Sequence, residues 1–138
     1  MYDPRFVLRC FDTLDADKKV SILNGMLDAL ILADTLYLQA NPSTPGVYES
    51  NLVYEPEEIG RDDWRDIPSV LDHKGGDCED LACYRVAELR HRNGEAAEPY
   101  VTWKLVKSKR YGTFTLYHIR VKRADGTIED PSKVLGMP

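Results

Sequence analysis

The sequence predicts an α+β fold in one domain, with helices in the first two thirds of the chain and a small antiparallel sheet after them. Three observations lead there. Val20, Leu23, Leu27, Leu30, Ile31 and Leu38 recur at helical spacing, and a second helical pattern follows Gly75-Gly76. From Tyr100 onward the period changes to runs rich in β-branched and aromatic residues. Asp125-Gly126 then gives a strong hairpin signal.

Taken in order, Asp15 and Asp17 are N-cap residues for a long helix from about Asp17 to Gln39, which Asn41-Pro42 ends. Residues 41–62 are punctuated by Pro42, Pro45, Gly46, Pro56 and Gly60 and read as a long connection, with one extended piece near Val47 to Tyr54. Trp64 to Asp72 reads as a short helix with Pro68 in its first turn. Gly75-Gly76 breaks the chain, and the next helix runs from about Cys78 to Arg92 before Asn93-Gly94 stops it. Tyr100 to Val106, Thr113 to Lys122 and Thr127 to Asp130 read as strands. Residues 1–60 thus form a helical N-terminal part with a long loop, and residues 62–135 the remaining core.

Composition narrows the function classes. With 138 residues, 43% hydrophobic and 30% charged, the chain has material for one core. A net charge of -5 argues against a general nucleic-acid binder, which needs a basic surface. Acid concentrates from Glu49 to Asp66 and base from Lys104 to Arg123, as two solvated faces would. No apolar run approaches a membrane span and Met1 to Arg5 lacks a signal pattern, so neither membrane nor export is expected. Three cysteines, Cys10, Cys78 and Cys83, are too few and too scattered for a disulfide framework and suit a reduced, cytoplasmic setting. His73, His91 and His118 form no zinc-type spacing with them.

The stretch His73 to Glu95 carries the chemistry. Cys78 falls in the first turn of a helix, between Asp77, Glu79 and Asp80. Free N–H groups and the macrodipole at a helix start stabilise a thiolate, so this placement predicts a lowered thiol pKa. Positions three, four, eight and eleven beyond it are Leu81, Ala82, Val86 and Leu89, an apolar stripe that turns Cys78 toward the sheet. Cys83 lies off that stripe and reads as a small packing residue. A nucleophile also needs a base and an orienting carboxylate. A three-residue loop Ala124-Asp125-Gly126 pairs Arg123 with Thr127 and Arg120 with Asp130, which puts His118 and Asp130 on one face, about 7–8 Å apart at the backbone. A two-residue turn would set them on opposite faces.

Gly-Asp-Cys-Glu-Asp-Leu-Ala at a helix start, then a strand histidine, then Asp just before Pro-Ser, resembles the transglutaminase-like superfamily, a variant of the papain-like fold. The chain is most similar to its bacterial cysteine peptidase type, with Asp63, Trp64 and Pro68 matching the upstream motif. The resemblance spans about Asp62 to Leu135, and short domains of this kind also occur among phage proteins. It implies Cys78 as nucleophile, His118 as general base and acid, and Asp130 as orienting carboxylate, acting on an amide bond of a protein or peptide through a thioester. The backbone N–H of Cys78 would help form the oxyanion hole. The only glutamine, Gln39, lies far upstream, so the side-chain donor is sought in Trp64 or a tyrosine. No cofactor is required. Relatives can bind calcium beside the site, which Asp77, Glu79 and Asp80 could supply, alongside ordinary capping of the helix. The alternative is a structural or interaction module on this fold, such as a phage virion or assembly component with protein partners.

Overall fold

The computed structural model describes residues 15–58 and 63–138. The expectations for Met1 to Arg5, Cys10 and Gly60 lie outside the described residues. Helix α1 (Ala16–Ala40) begins where the Asp15 carboxylate accepts the Lys18 N–H at 2.9 Å. It ends where Asn41 folds back onto the Tyr37 carbonyl and Pro42 forbids continuation. A 3₁₀ turn (Val47–Glu49) and strand β1 (Val53–Tyr54) follow, then α2 (Ile67–His73). The Asp66 carboxylate caps α2 by accepting the Ser69 N–H, and Lys74 closes it in the left-handed region at φ 60.

Gly75–Gly76 is not only a break. It forms β2, a two-residue strand parallel to β1, with Val53 opposite Gly75 and Tyr54 opposite Gly76. The reason for two glycines is space: a Cβ on Gly75 would stand 2.7 Å from the Val53 carbonyl oxygen, and one on Gly76 2.8 Å from Asp80 Cβ. Side-chain periodicity carries no trace of such a pairing, so the sequence reading missed it.

Helix α3 (Cys78–Asn93) runs through the centre, packed between α1 on one side and the sheet on the other. The expected one-sided stripe is corrected here. Leu81, Ala82, Val86 and Leu89 are fully buried, but so are Cys83, Tyr84 and Ala87. A helix covered on several sides has no solvent face over most of its length, and only its C-terminal turn emerges. Cys83 is a packing residue as expected, its thiol directed at the Leu27 carbonyl at 3.8 Å.

Strands β3 (Glu98–Ser108), β4 (Gly112–Lys122) and β5 (Ile128–Glu129) form the antiparallel sheet in that order. Trp103 stands opposite Tyr117 and Val121 opposite Glu129. The Arg123 N–H donates to the Thr127 carbonyl at 2.8 Å and Gly126 takes φ 88, so the connection is the three-residue loop. A short helix α4 (Pro131–Val134) follows, where the sequence reading assigned no element. Asp130 caps it and Pro131 opens it, a start signal present in the sequence.

The face of α1 made by Leu27, Ile31, Asp34 and Leu38 is buried. Fully enclosed Asp34 accepts the Ile67 N–H at 2.8 Å, tying α1 to the first residue of α2, and burial raises its carboxyl to about 8. By length and composition α1 also meets the requirement for crossing a membrane, with a mean hydropathy of 1.3, which the sequence reading overlooked. Only the face of Leu27, Ile31 and Leu38 uses that apolarity for packing, while Leu32 and Leu36 are more than half exposed.

Candidate active site

The carboxylates around Cys78 act first as caps. Asp77 Oδ1 accepts the Cys78 N–H at 2.7 Å, and a capping box forms as the Asp77 side chain accepts the Asp80 N–H while Asp80 Oδ2 accepts the Asp77 N–H at 3.0 Å. Their second oxygens hold the preceding loop: Asp80 Oδ1 accepts the Arg65 N–H at 2.7 Å, and Asp77 Oδ2 the Glu57 N–H at 3.4 Å. Two expectations change as a result. The Cys78 N–H is engaged by Asp77, so in this arrangement it is not an oxyanion donor. The trio Asp77, Glu79 and Asp80 also does not converge on one point. Among the described residues, the ligand sets that gather within 4.8 Å are Asp77, Cys78 and Glu79, and Glu57, Glu79 and Asp80. Backbone N–H groups already meet both oxygens of Asp77 and of Asp80, a donor pattern of caps rather than of a calcium cage with six to eight oxygens.

Cys78 is 8% exposed, and its thiol hydrogen-bonds Glu79 Oε2 at 3.4 Å. Burial foremost, then the Glu79 and Asp77 carboxylates, push this thiol far above its ordinary range, while the Ile119 backbone N–H works the other way. This reverses the expected direction. The helix start favours a thiolate, but desolvation and two nearby negative charges outweigh it.

His118 and Asp130 do meet. Nε2 of the imidazole lies 2.8 Å from Asp130 Oδ2, while Asp130 Oδ1 accepts the Lys133 N–H at 3.3 Å and is thereby fixed. A neutral ring whose Nε2–H points at a carboxylate carries its lone pair on Nδ1. The odd-numbered residues Ile119 and Val121 are buried in the core, so alternation sets His118 and Asp130 on the other face of the sheet. Cys78 shares the core with Ile119, one residue from His118, but no hydrogen bond joins thiol and ring among the described residues.

Trp64 is half-buried and packs on the core. A residue the sequence reading did not single out is better placed. Tyr54 sits on β1 opposite Gly76, with its backbone N–H on the Leu135 carbonyl at 3.0 Å. Burial, then Asp77 and Cys78, raise its hydroxyl, which stays protonated and donates a hydrogen bond to the Asp77 side chain. Only the β1–β2 pairing brings it there, and no spacing in the sequence signals that pairing.

Comparison with models of known protein families, with curated proteins and with solved structures finds no match.

Proposed function

We propose that the protein is a transglutaminase-like cysteine hydrolase or acyltransferase with a papain-like arrangement of its core, acting on an amide bond of a protein or peptide. The observation that carries this reading is the His118 Nε2 to Asp130 Oδ2 pair at 2.8 Å, on the strand that packs against the helix of Cys78. Cys78 Sγ attacks the amide carbonyl carbon as its proton passes to His118 Nδ1. The oxyanion that forms takes a hydrogen bond from the Tyr54 hydroxyl, which gives up its bond to Asp77 to make it. His118 then protonates the departing nitrogen, the C–N bond breaks and a thioester remains. Water or an amine, deprotonated by the same ring, attacks the thioester, and the thiol leaves with its proton restored. Because the resting thiol is protonated, His118 must act as a base during attack rather than sit in a preformed ion pair. His118 stands on the sheet face away from the core and Cys78 is buried in the core, so the reaction requires a movement that brings ring and thiol together.

One observation favours the second reading, a structural or interaction module such as a phage virion or assembly component. Cys78 is buried, bonded to Glu79 and held as a thiol. An amide-bearing thiol-reactive probe separates the two. The enzyme predicts labelling of Cys78 that vanishes in Cys78→Ser and falls sharply in His118→Ala. Labelling no faster than at Cys10 or Cys83 leaves the module.

A further inference from the structure

Strand β4 is paired on both sides only at Val121 and Lys122, where β5 lies beside it. From Gly112 to Arg120 that side carries no strand among the described residues. Backbone direction along it follows from alternation. The Arg123 N–H points to β5 and the His118 carbonyl toward Thr102 on β3, so Thr113, Thr115, Tyr117 and Ile119 aim their backbone groups at the open edge. The last of these, Ile119, is buried in the same core cluster as Cys78. The unpaired donors and acceptors of Thr113, Thr115 and Tyr117 thus form a row that runs toward the end of β4 packed on the helix of Cys78.

The surroundings narrow the occupant. Trp103 and Leu105, across from Tyr117 and Thr115, are 43% and 66% exposed and extend the core face of the hairpin past its core. From Pro99 to Ala124 the chain carries seven lysines and arginines and no acid, although its net charge is -5. Lys104, Lys107, Lys109 and Arg110 make no ion pair among the described residues. Alternating donors and acceptors match a polypeptide backbone, whereas a phosphodiester chain offers acceptors only. Pairing two copies edge to edge would set one basic hairpin against another.

We infer that the open edge of β4 at Thr113, Thr115 and Tyr117 takes up an extended acidic polypeptide segment as an added strand and leads it to Cys78. Its delivery to chemistry rests on the reading of Cys78 as nucleophile, while strand addition stands on the edge alone. Thr115→Pro removes one edge N–H and leaves the β3 ladder intact.

The test is fluorescence anisotropy on full-length Cys78→Ala, with a labelled decapeptide alternating Glu with Thr or Val and a matched peptide with Lys in place of Glu. The Glu peptide binds about tenfold or more tightly than the Lys peptide. Thr115→Pro weakens it about tenfold, and Lys107→Glu with Lys109→Glu reverses the preference. Should Thr115→Pro fold poorly, N-methylation of alternate peptide residues removes the same hydrogen bonds from the other side. Equal binding of both peptides overturns the proposal, as does indifference to N-methylation. So does tighter binding of a labelled oligothymidylate, or a dimer in sedimentation that Thr115→Pro dissolves. Peptide binding without Cys78 labelling in the wild type removes the nucleophile and keeps the edge. Labelling without peptide binding does the reverse.

Discussion

Replacing Asp34 by Asn should flatten the pH dependence of stability. The Asp34 carboxyl, ordinarily at 3.8, stands at about 8 in the fold because burial penalises its ionised form, with Asp66 and Asp80 adding to the rise. The native state therefore holds a proton that the unfolded chain releases above about pH 4. For a carboxyl raised on folding, stability is full below the unfolded value and falls as pH climbs toward the folded one. The slope is about 1.4 kcal/mol per pH unit for each such group. Asp80, raised to about 7 chiefly by burial, acts the same way. From about pH 5 to pH 6.5 Asp34 costs about 2 kcal/mol, and Asp80 adds to the fall. The acids lowered in the fold, Glu95, Asp125 and Glu129, lose stability toward low pH, below this window. In Asp34→Asn the amide oxygen still accepts the Ile67 N–H, so the tie to α2 survives while the titration is gone. Urea unfolding at three pH values in the window reads the slope directly. A variant slope equal to that of wild type would show that Asp34 does not hold its proton on folding and would refute the reasoning.

Glu79→Gln removes the larger of the two carboxylate contributions that raise the Cys78 thiol, so alkylation of Cys78 at neutral pH should speed up, read by mass spectrometry against iodoacetamide. Tyr54→Phe should slow amide-probe labelling about 10- to 100-fold and lower the melting temperature only slightly, since it removes an oxyanion donor together with its resting hydrogen bond to Asp77. Gly76→Ala should destabilise by about 1–3 kcal/mol in urea, because its Cβ would fall 2.8 Å from Asp80 Cβ and push the capping box apart. Chelation with EDTA should leave both melting temperature and labelling unchanged, since Asp77 and Asp80 are met by backbone N–H groups.

The helices and strands with regular periods were legible in the sequence because each rests on local signals: the Asp15 cap, the Asn41-Pro42 stop, the Gly94 terminus and the β-branched runs of the hairpin. Even the pairing of His118 with Asp130 followed from the turn, since loop length sets strand register and register decides which residues share a face. What stayed hidden depends on groups far apart in the chain. The β1–β2 pairing and the placing of Tyr54 beside Cys78 arise from backbone contact between residues more than 20 apart, which leaves no periodic trace in side chains. The same holds for the protonation of Cys78 and Asp34. A helix start alone predicts a lowered thiol, and an aspartate alone an ionised carboxylate. Both predictions reverse once neighbouring elements close over these groups and exclude water, because the cost of burying a charge is decided by the completed fold.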